Sequence, residues 1–150
     1  MKPRRVLAMG VFDLFHIGHL RYLQYARQQG THLAVAVAPD ALCLARKGKL
    51  PVIDESQRLE MVRGVGWVDD ARYMPASLEL TQETAGWISA WHIDQVVVGG
   101  EWEGSPRWQR LGAALAERGI GVCFAPHTQG ISSTELVSRI RQMAPAVVAP

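Results

Sequence analysis

Short apolar runs recur along the chain, and between them the apolar positions fall three and four residues apart. The runs Val6 to Met9, Leu33 to Ala38, Asp70 to Met74, Gln95 to Val98 and Gly121 to Ala125 are rich in Val, Ala, Leu or Ile and read as strands. Ile17, Leu20, Leu23 and Ala26 share helical spacing, and Gly30 marks the end of that helix. Asp54 with Gln57 three residues later is a helix start, followed by a stripe of Leu59, Val62 and Val65. Leu78 to His92 reads as helical. Ser105 before Pro106 opens a helix that runs through Leu111, Ala114 and Leu115 to Gly119. Ser132 with Glu135 repeats the capping pattern and opens the last helix. Strands alternating with helices predict an α/β fold, an open parallel five-stranded sheet with helices on both faces.

Length and composition narrow the picture. A chain of 150 residues is expected to form one domain, here over residues 1–142, with a frayed tail over 143–150. Hydrophobic residues at 48% and charged residues at 20% are ordinary for a globular domain. A net charge of +2, with no basic stripe interleaved with aromatics, argues against nucleic acid and fits small anionic ligands. Cys43 and Cys123 form no CxxC pair, so neither a metal knuckle nor a disulfide framework is expected. Asp13 interrupts the apolar run that follows Arg4 and Arg5 too early for a signal peptide, and no run reaches the length of a membrane span. The expected location is the cytoplasm. Trp87 and Trp91 lie one helical turn apart, a spacing of core or subunit interface.

The run from Gly10 to His19, GVFDLFHIGH, carries the chemistry. It sets His16 and His19 three residues apart at a helix start, where free N–H groups and the helix dipole gather anions. Imidazoles that donate there stabilise charge growing on a phosphate oxygen. Gly10 and Gly18, lacking Cβ atoms, leave room for close approach. A zinc helix would need histidines four apart with a Glu between, and a nicotinamide-binding turn would need GxGxxG after the first strand. Neither pattern is present.

GVFDLFHIGH resembles the GxFDxxHxGH signature of the cytidylyltransferase-like nucleotidyltransferases. Gln129 to Thr134, QGISST, resembles the same family's second, GISTT-type segment near the C-terminus. The resemblance spans nearly the whole chain, from Val6 to about Gln142, and implies a Rossmann-like fold. It also implies attack by a small phosphorylated acceptor on the α-phosphorus of CTP or ATP, with release of pyrophosphate. On this reading His16, His19 and Lys47 are catalytic, with Lys47 and Lys49 on a loop after the second strand. Gly10, Phe12, Gly18, Gly99, Glu101, Trp102, Ile131, Ser132, Ser133 and Thr134 surround the nucleotide. Asp13, Lys49, Arg58 and His127 serve the substrates, with a turn-stabilising role weighing equally for Asp13, and Mg2+ accompanies the triphosphate with no dedicated protein metal site. The resemblance further implies a homodimer, to which exposed tryptophans would contribute.

Within the family two substrate readings stand side by side. Trp102-Glu103-Gly104 and the GISST run are similar to glycerol-3-phosphate cytidylyltransferases. Three positions depart from those enzymes: Gly66-Trp67-Val68-Asp69 lacks an Arg, His127 stands in place of another Arg, and Gly100-Glu101 replaces an acidic pair. The Gly-Gly-acid segment Gly99-Gly100-Glu101 and the missing arginines are similar to heptose-phosphate adenylyltransferases. CTP is favoured over ATP. A non-catalytic nucleotide-binding protein on the same fold is the reading from another class.

Overall fold

The computed structural model describes residues 2–143 and 145. Five parallel strands, β1 (Arg5–Gly10), β2 (His32–Val37), β3 (Asp70–Tyr73), β4 (Gln95–Gly99) and β5 (Gly121–Ala125), form one sheet in the order β3-β2-β1-β4-β5. The helices are α1 (Ile17–Gln28), α2 (Asp40–Lys47), α3 (Glu55–Arg63), α4 (Thr81–Ala90), α5 (Pro106–Ala116) and α6 (Ser133–Met143), with a short 3-10 turn at Gly100–Trp102. The expected parallel α/β sheet is therefore present. Met143 extends the last helix one residue beyond the expected domain end, and the rest of the expected tail, residue 145 apart, lies outside the described residues.

Successive strand residues point to opposite faces, and the sheet separates two cores on that basis. Leu7, Met9, Ala34, Ala36, Val96 and Val98 face α4 and α5, where Ile88, Trp108, Leu111 and Leu115 cover them. Val6, Ala8, Leu33, Val35, Val37 and Val97 face α1 and α3, covered by Leu23, Ala26, Leu59 and Val62. Strands buried on both faces explain their near-continuous apolar sequences.

Side-chain caps fix several helix starts as the sequence predicts. Asp54 Oδ1 accepts from the Gln57 amide at 3.1 Å and Ser105 Oγ from that of Trp108 at 3.3 Å. Residues 40–47, however, form α2 rather than a loop; Gly48, left-handed at φ 72°, ends it and leaves Lys47 in its last turn. Gly30 is needed for packing, since a Cβ there would lie 2.6 Å from the Arg4 carbonyl oxygen. Trp87 and Trp91 pack together, ring centroids 4.7 Å apart, with Trp87 buried in the core. Trp108 is buried too and Trp67 and Trp91 are half-buried, so only Trp102 is an exposed tryptophan. The expectation of an interface built from several exposed tryptophans is corrected accordingly.

Candidate active site

Strand order reverses between β1 and β4, the position where open parallel sheets hold ligands beyond the carboxyl ends of their strands. The β1–β4 pairing runs from Val6–Gln95 to Ala8–Val97. Beyond it the Tyr22 hydroxyl enters between the strands, donating to the Val97 carbonyl at 2.6 Å and accepting from the Met9 amide at 3.0 Å. Burial raises its pKa well above that of an ordinary phenol, so it stays protonated and acts as a bridge.

The loop leading from β1 into α1 is held in an uncommon shape. Phe12 and Leu14 adopt left-handed backbone angles, φ 56° and 50°, which cost non-glycine residues about 1–3 kcal/mol each. Several contacts hold this shape. The Asp13 carboxylate accepts from the Val52 and Ile53 amides at 2.8 and 2.9 Å, and the Asp13 carbonyl accepts from the Ser133 hydroxyl at 2.5 Å. The buried Phe12 ring packs against His19, centroids 5.4 Å apart. Asp13 is thus a fastening between three segments, the turn-stabilising one of its two expected roles.

His16 is the N-cap of α1, and the two imidazoles build a reciprocal capping box. His16 Nδ1 accepts from the Gly18 amide at 3.0 Å, and His19 Nδ1 accepts from the His16 amide at 3.2 Å. A nitrogen that accepts from an amide carries no proton, so this network assigns the proton of each neutral ring to Nε2. Both rings then present an Nε2–H donor. They stack with centroids 3.8 Å apart. Burial lowers the pKa of His16; burial, with the neighbouring His16 next and Asp13 opposing, brings that of His19 to about 4. Before any anion binds, His19 is neutral at neutral pH.

The glycines of the motif serve the protein's own side chains. A Cβ on Gly18 would lie 2.8 Å from the His16 ring and 3.5 Å from Ile131 Cγ2, so Gly18 makes room for the His16 imidazole. A Cβ on Gly10 would meet the Phe12 ring at 3.2 Å, and one on Gly99 the Glu101 carboxylate at 2.6 Å. At Gly10 and Gly18 the nearest group is an aromatic ring of the same segment.

Ile131 beside Gly18 and Ser133 on Asp13 bring the start of α6 next to the start of α1. Two helix N-termini therefore converge, a concentration of donors and positive partial charge suited to phosphates. Ser132 Oγ accepts from the Glu135 amide at 3.0 Å, so it caps its own helix, while Thr134 is exposed.

A cavity of about 300 Å³ opens beside this turn. Of the expected site residues it is lined by Gly10, Phe12, His19, Lys47, Gly99, Glu101 and Trp102. Lys49 is exposed outside it. His127 lies at a separate groove against α1, its Nδ1 3.5 Å from the Glu101 carboxylate. Arg58 is 1% exposed, and its guanidinium donates to the carbonyls of Ile53, Val11 and Ala38 at 2.9, 2.7 and 2.8 Å and to Asp40 at 2.6 Å. With its donors so engaged, Arg58 is a strut between loops, which corrects its expected role as a phosphate ligand. Sequence reasoning did not assign Tyr22, Arg46 or Arg107 to the cavity they line. For Arg46 the adjacent Lys47 was the available signal; for Arg107, on α5, there was none.

A switch-point crevice flanked by two helix N-termini and a pair of Nε2–H imidazoles defines a phosphate-handling α/β protein. The cytidylyltransferase-like family model matches residues 7–139, and the chain belongs to that family. It is 32% identical to ethanolamine-phosphate cytidylyltransferase of Arabidopsis thaliana over 93% of this chain and 32% of the relative. It is 34% identical to the bifunctional protein HldE of Halorhodospira halophila over 92% of this chain and 28% of that protein. The chain thus spans about a third or less of the length of these two relatives. A lipopolysaccharide core biosynthesis protein from Thermoplasma volcanium superposes with TM-score 0.65 at 28% identity, covering 83% of this chain and 96% of that one.

Proposed function

We propose that this chain is a nucleotidyltransferase that joins a nucleoside triphosphate, CTP in preference to ATP, to a small phosphorylated acceptor. The observation that carries the reading is the capping box of His16 and His19, which leaves each ring an Nε2–H donor where α1 and α6 converge.

An oxygen of the acceptor phosphate attacks the α-phosphorus, the bond from that phosphorus to the bridging oxygen breaks, and pyrophosphate leaves. The nucleophile is already anionic, so no base is required. The protein's task is to align two repelling anions and to stabilise charge developing on the α-phosphate and the leaving oxygen. His16 and His19 donate to these oxygens, the helix starts receive the β- and γ-phosphates, and Lys47 neutralises the incoming phosphate. Among the described residues no three His, Cys, Asp or Glu converge on a metal position, and the Asp13 carboxylate is engaged by two amides. Magnesium fits this site as a companion of the triphosphate, where it would supply charge neutralisation. Glu101 flanks the nucleotide side of the cavity, and exposed Ile140 and Met143 on α6 offer an apolar face for a homodimer. No described helix is long and apolar enough to cross a membrane, and the reading places the enzyme in the cytoplasm.

The Gly99-Gly100-Glu101 segment, similar to that of heptose-phosphate adenylyltransferases, favours ATP with a sugar phosphate as the second reading. Magnesium-dependent pyrophosphate release, with CTP and ATP separately against glycerol 3-phosphate, heptose 1-phosphate, phosphocholine and phosphoethanolamine, tests both. Release with CTP supports the first reading and release with ATP alone the second. Nucleotide binding without release in any pairing supports a non-catalytic role.

A further inference from the structure

The cavity holds positive charge to which the transfer step assigns no role. Its lining carries three cations, Arg46, Lys47 and Arg107, and a single carboxylate, Glu101. Arg46 from α2 and Arg107 from α5 are the two without a role in that step, and both guanidiniums lie over the Trp102 ring, 5.2 and 5.4 Å from its centroid. Arg107 is paired with Glu79, whereas among the described residues Arg46 has no carboxylate partner. Burial and then the charge of Arg107 lower the Arg46 pKa from its usual value, with Glu79 opposing, so the two cations are close enough to repel. Like charges braced on one aromatic face are relieved by an anion that pairs with both. An ammonium group placed there would meet two guanidiniums whose charge the one Glu79 carboxylate offsets only in part.

We propose that Arg46 and Arg107, braced on Trp102, form a second anion subsite, so that the acceptor is a phosphate monoester carrying a further anionic group and no ammonium. The proposal rests on the nucleotidyltransferase reading and sharpens its acceptor class. The shared chemistry is a carboxylate or a second phosphate, and the subsite discriminates against the amino-alcohol phosphates.

Two matched pairs of probes isolate the charge. Phosphoglycolate and phosphoethanolamine differ by a carboxylate in place of an aminomethyl group; 3-phosphoglycerate and glycerol 3-phosphate differ by a carboxylate in place of a hydroxymethyl group. Binding of each to the nucleotide-free protein is measured by calorimetry. The carboxylated member is expected to bind at least ~10-fold tighter, the scale of one charge-assisted hydrogen bond. Arg46→Gln and Arg107→Gln should each weaken its binding by a similar factor without weakening that of phosphoethanolamine. Arg46→Gln is the decisive variant, because it breaks no salt bridge and a folding defect is not expected. Equal affinity within the pairs, including no binding by any member, overturns the proposal, as does a preference that survives Arg46→Gln. Pyrophosphate release is scored separately, so failure of the transferase reading remains distinguishable from failure of the subsite.

Discussion

The His16 amide donates to His19 Nδ1 at 3.2 Å, so one histidine's backbone decides which nitrogen of the other carries a proton. Orientation and tautomer of both rings are set by main chain before any ligand arrives. Preorganised donors of this kind act with little reorganisation during reaction. His16→Ala is expected to lower kcat by at least ~100-fold, the scale of losing one transition-state donor. Loss of the cap should cost about 1 kcal/mol of stability, leaving the fold intact. Steady-state kinetics beside a thermal melt separate the two effects, and an unchanged rate would remove His16 from the mechanism.

Acid sensitivity follows from the depressed imidazoles. A folded-state pKa of about 4 for His19, against 6.5 in the unfolded chain, means that the unfolded state binds the proton first. This contribution to stability is full above pH 6.5 and is lost as pH falls from 6.5 toward 4. A His19→Asn variant should show a smaller loss of Tm over that window than the parent. In the parent, nucleotide-free His19 should show no imidazole titration between pH 6 and 8 by NMR; a midpoint near 6.5 would contradict the burial argument.

Arg58 separates a strut from a ligand. Arg58→Gln should lower stability by about 3 kcal/mol, because it leaves the carbonyls of Val11 and Ala38 and the Asp40 carboxylate short of partners. Arg58→Lys should rescue little, since an ammonium cannot reproduce the planar fork. Denaturant unfolding measures this. A raised KM with unchanged stability would restore Arg58 to the substrate.

Two glycine substitutions should fail differently. Gly100→Ala puts a Cβ 2.3 Å from the Ala125 carbonyl oxygen, a backbone atom, and should destabilise the β4–β5 junction. Gly18→Ala instead presses on the His16 side chain, while alanine favours the helix by up to about 1 kcal/mol. It should keep or raise Tm while kcat falls ~10- to 100-fold, the scale of a misplaced catalytic group. Melting curves and turnover on the same preparations check both expectations.

Tyr22→Phe removes the hydroxyl that joins Met9 to Val97 and should cost about 1–3 kcal/mol through the unpaired Val97 carbonyl. Faster amide exchange at Met9 than at Leu7 would localise the loss.

The strands and most helices were legible because their signals are local. β5 spans Gly121 to Ala125 as its apolar run predicts, and Asp54 and Ser105 cap the helices that follow them. α2 escaped because eight residues ending in Ala-Arg-Lys carry only Leu42 and Cys43 toward the core, and the basic cluster reads equally well as loop. The motif histidines were legible as a pair, but their reciprocal capping was not, since histidine is outside the usual N-cap set. Arg58 and Asp13 were singled out in the sequence, but what they hold together was not visible there. Their partners are backbone groups up to 47 positions away for Arg58 and 40 for the Asp13 carboxylate, brought together only by the fold.

The bond from Ser133 to the Asp13 carbonyl joins positions 120 residues apart. A growing chain can lay down all five strands before it possesses this fastening, because the last strand closes at Ala125. Sheet formation and assembly of the phosphate cradle are consequently separate events in synthesis, and the second waits for residues that add nothing to the sheet. A product cut short at residue 130 would keep its strands and its histidines while lacking the helix start that faces them.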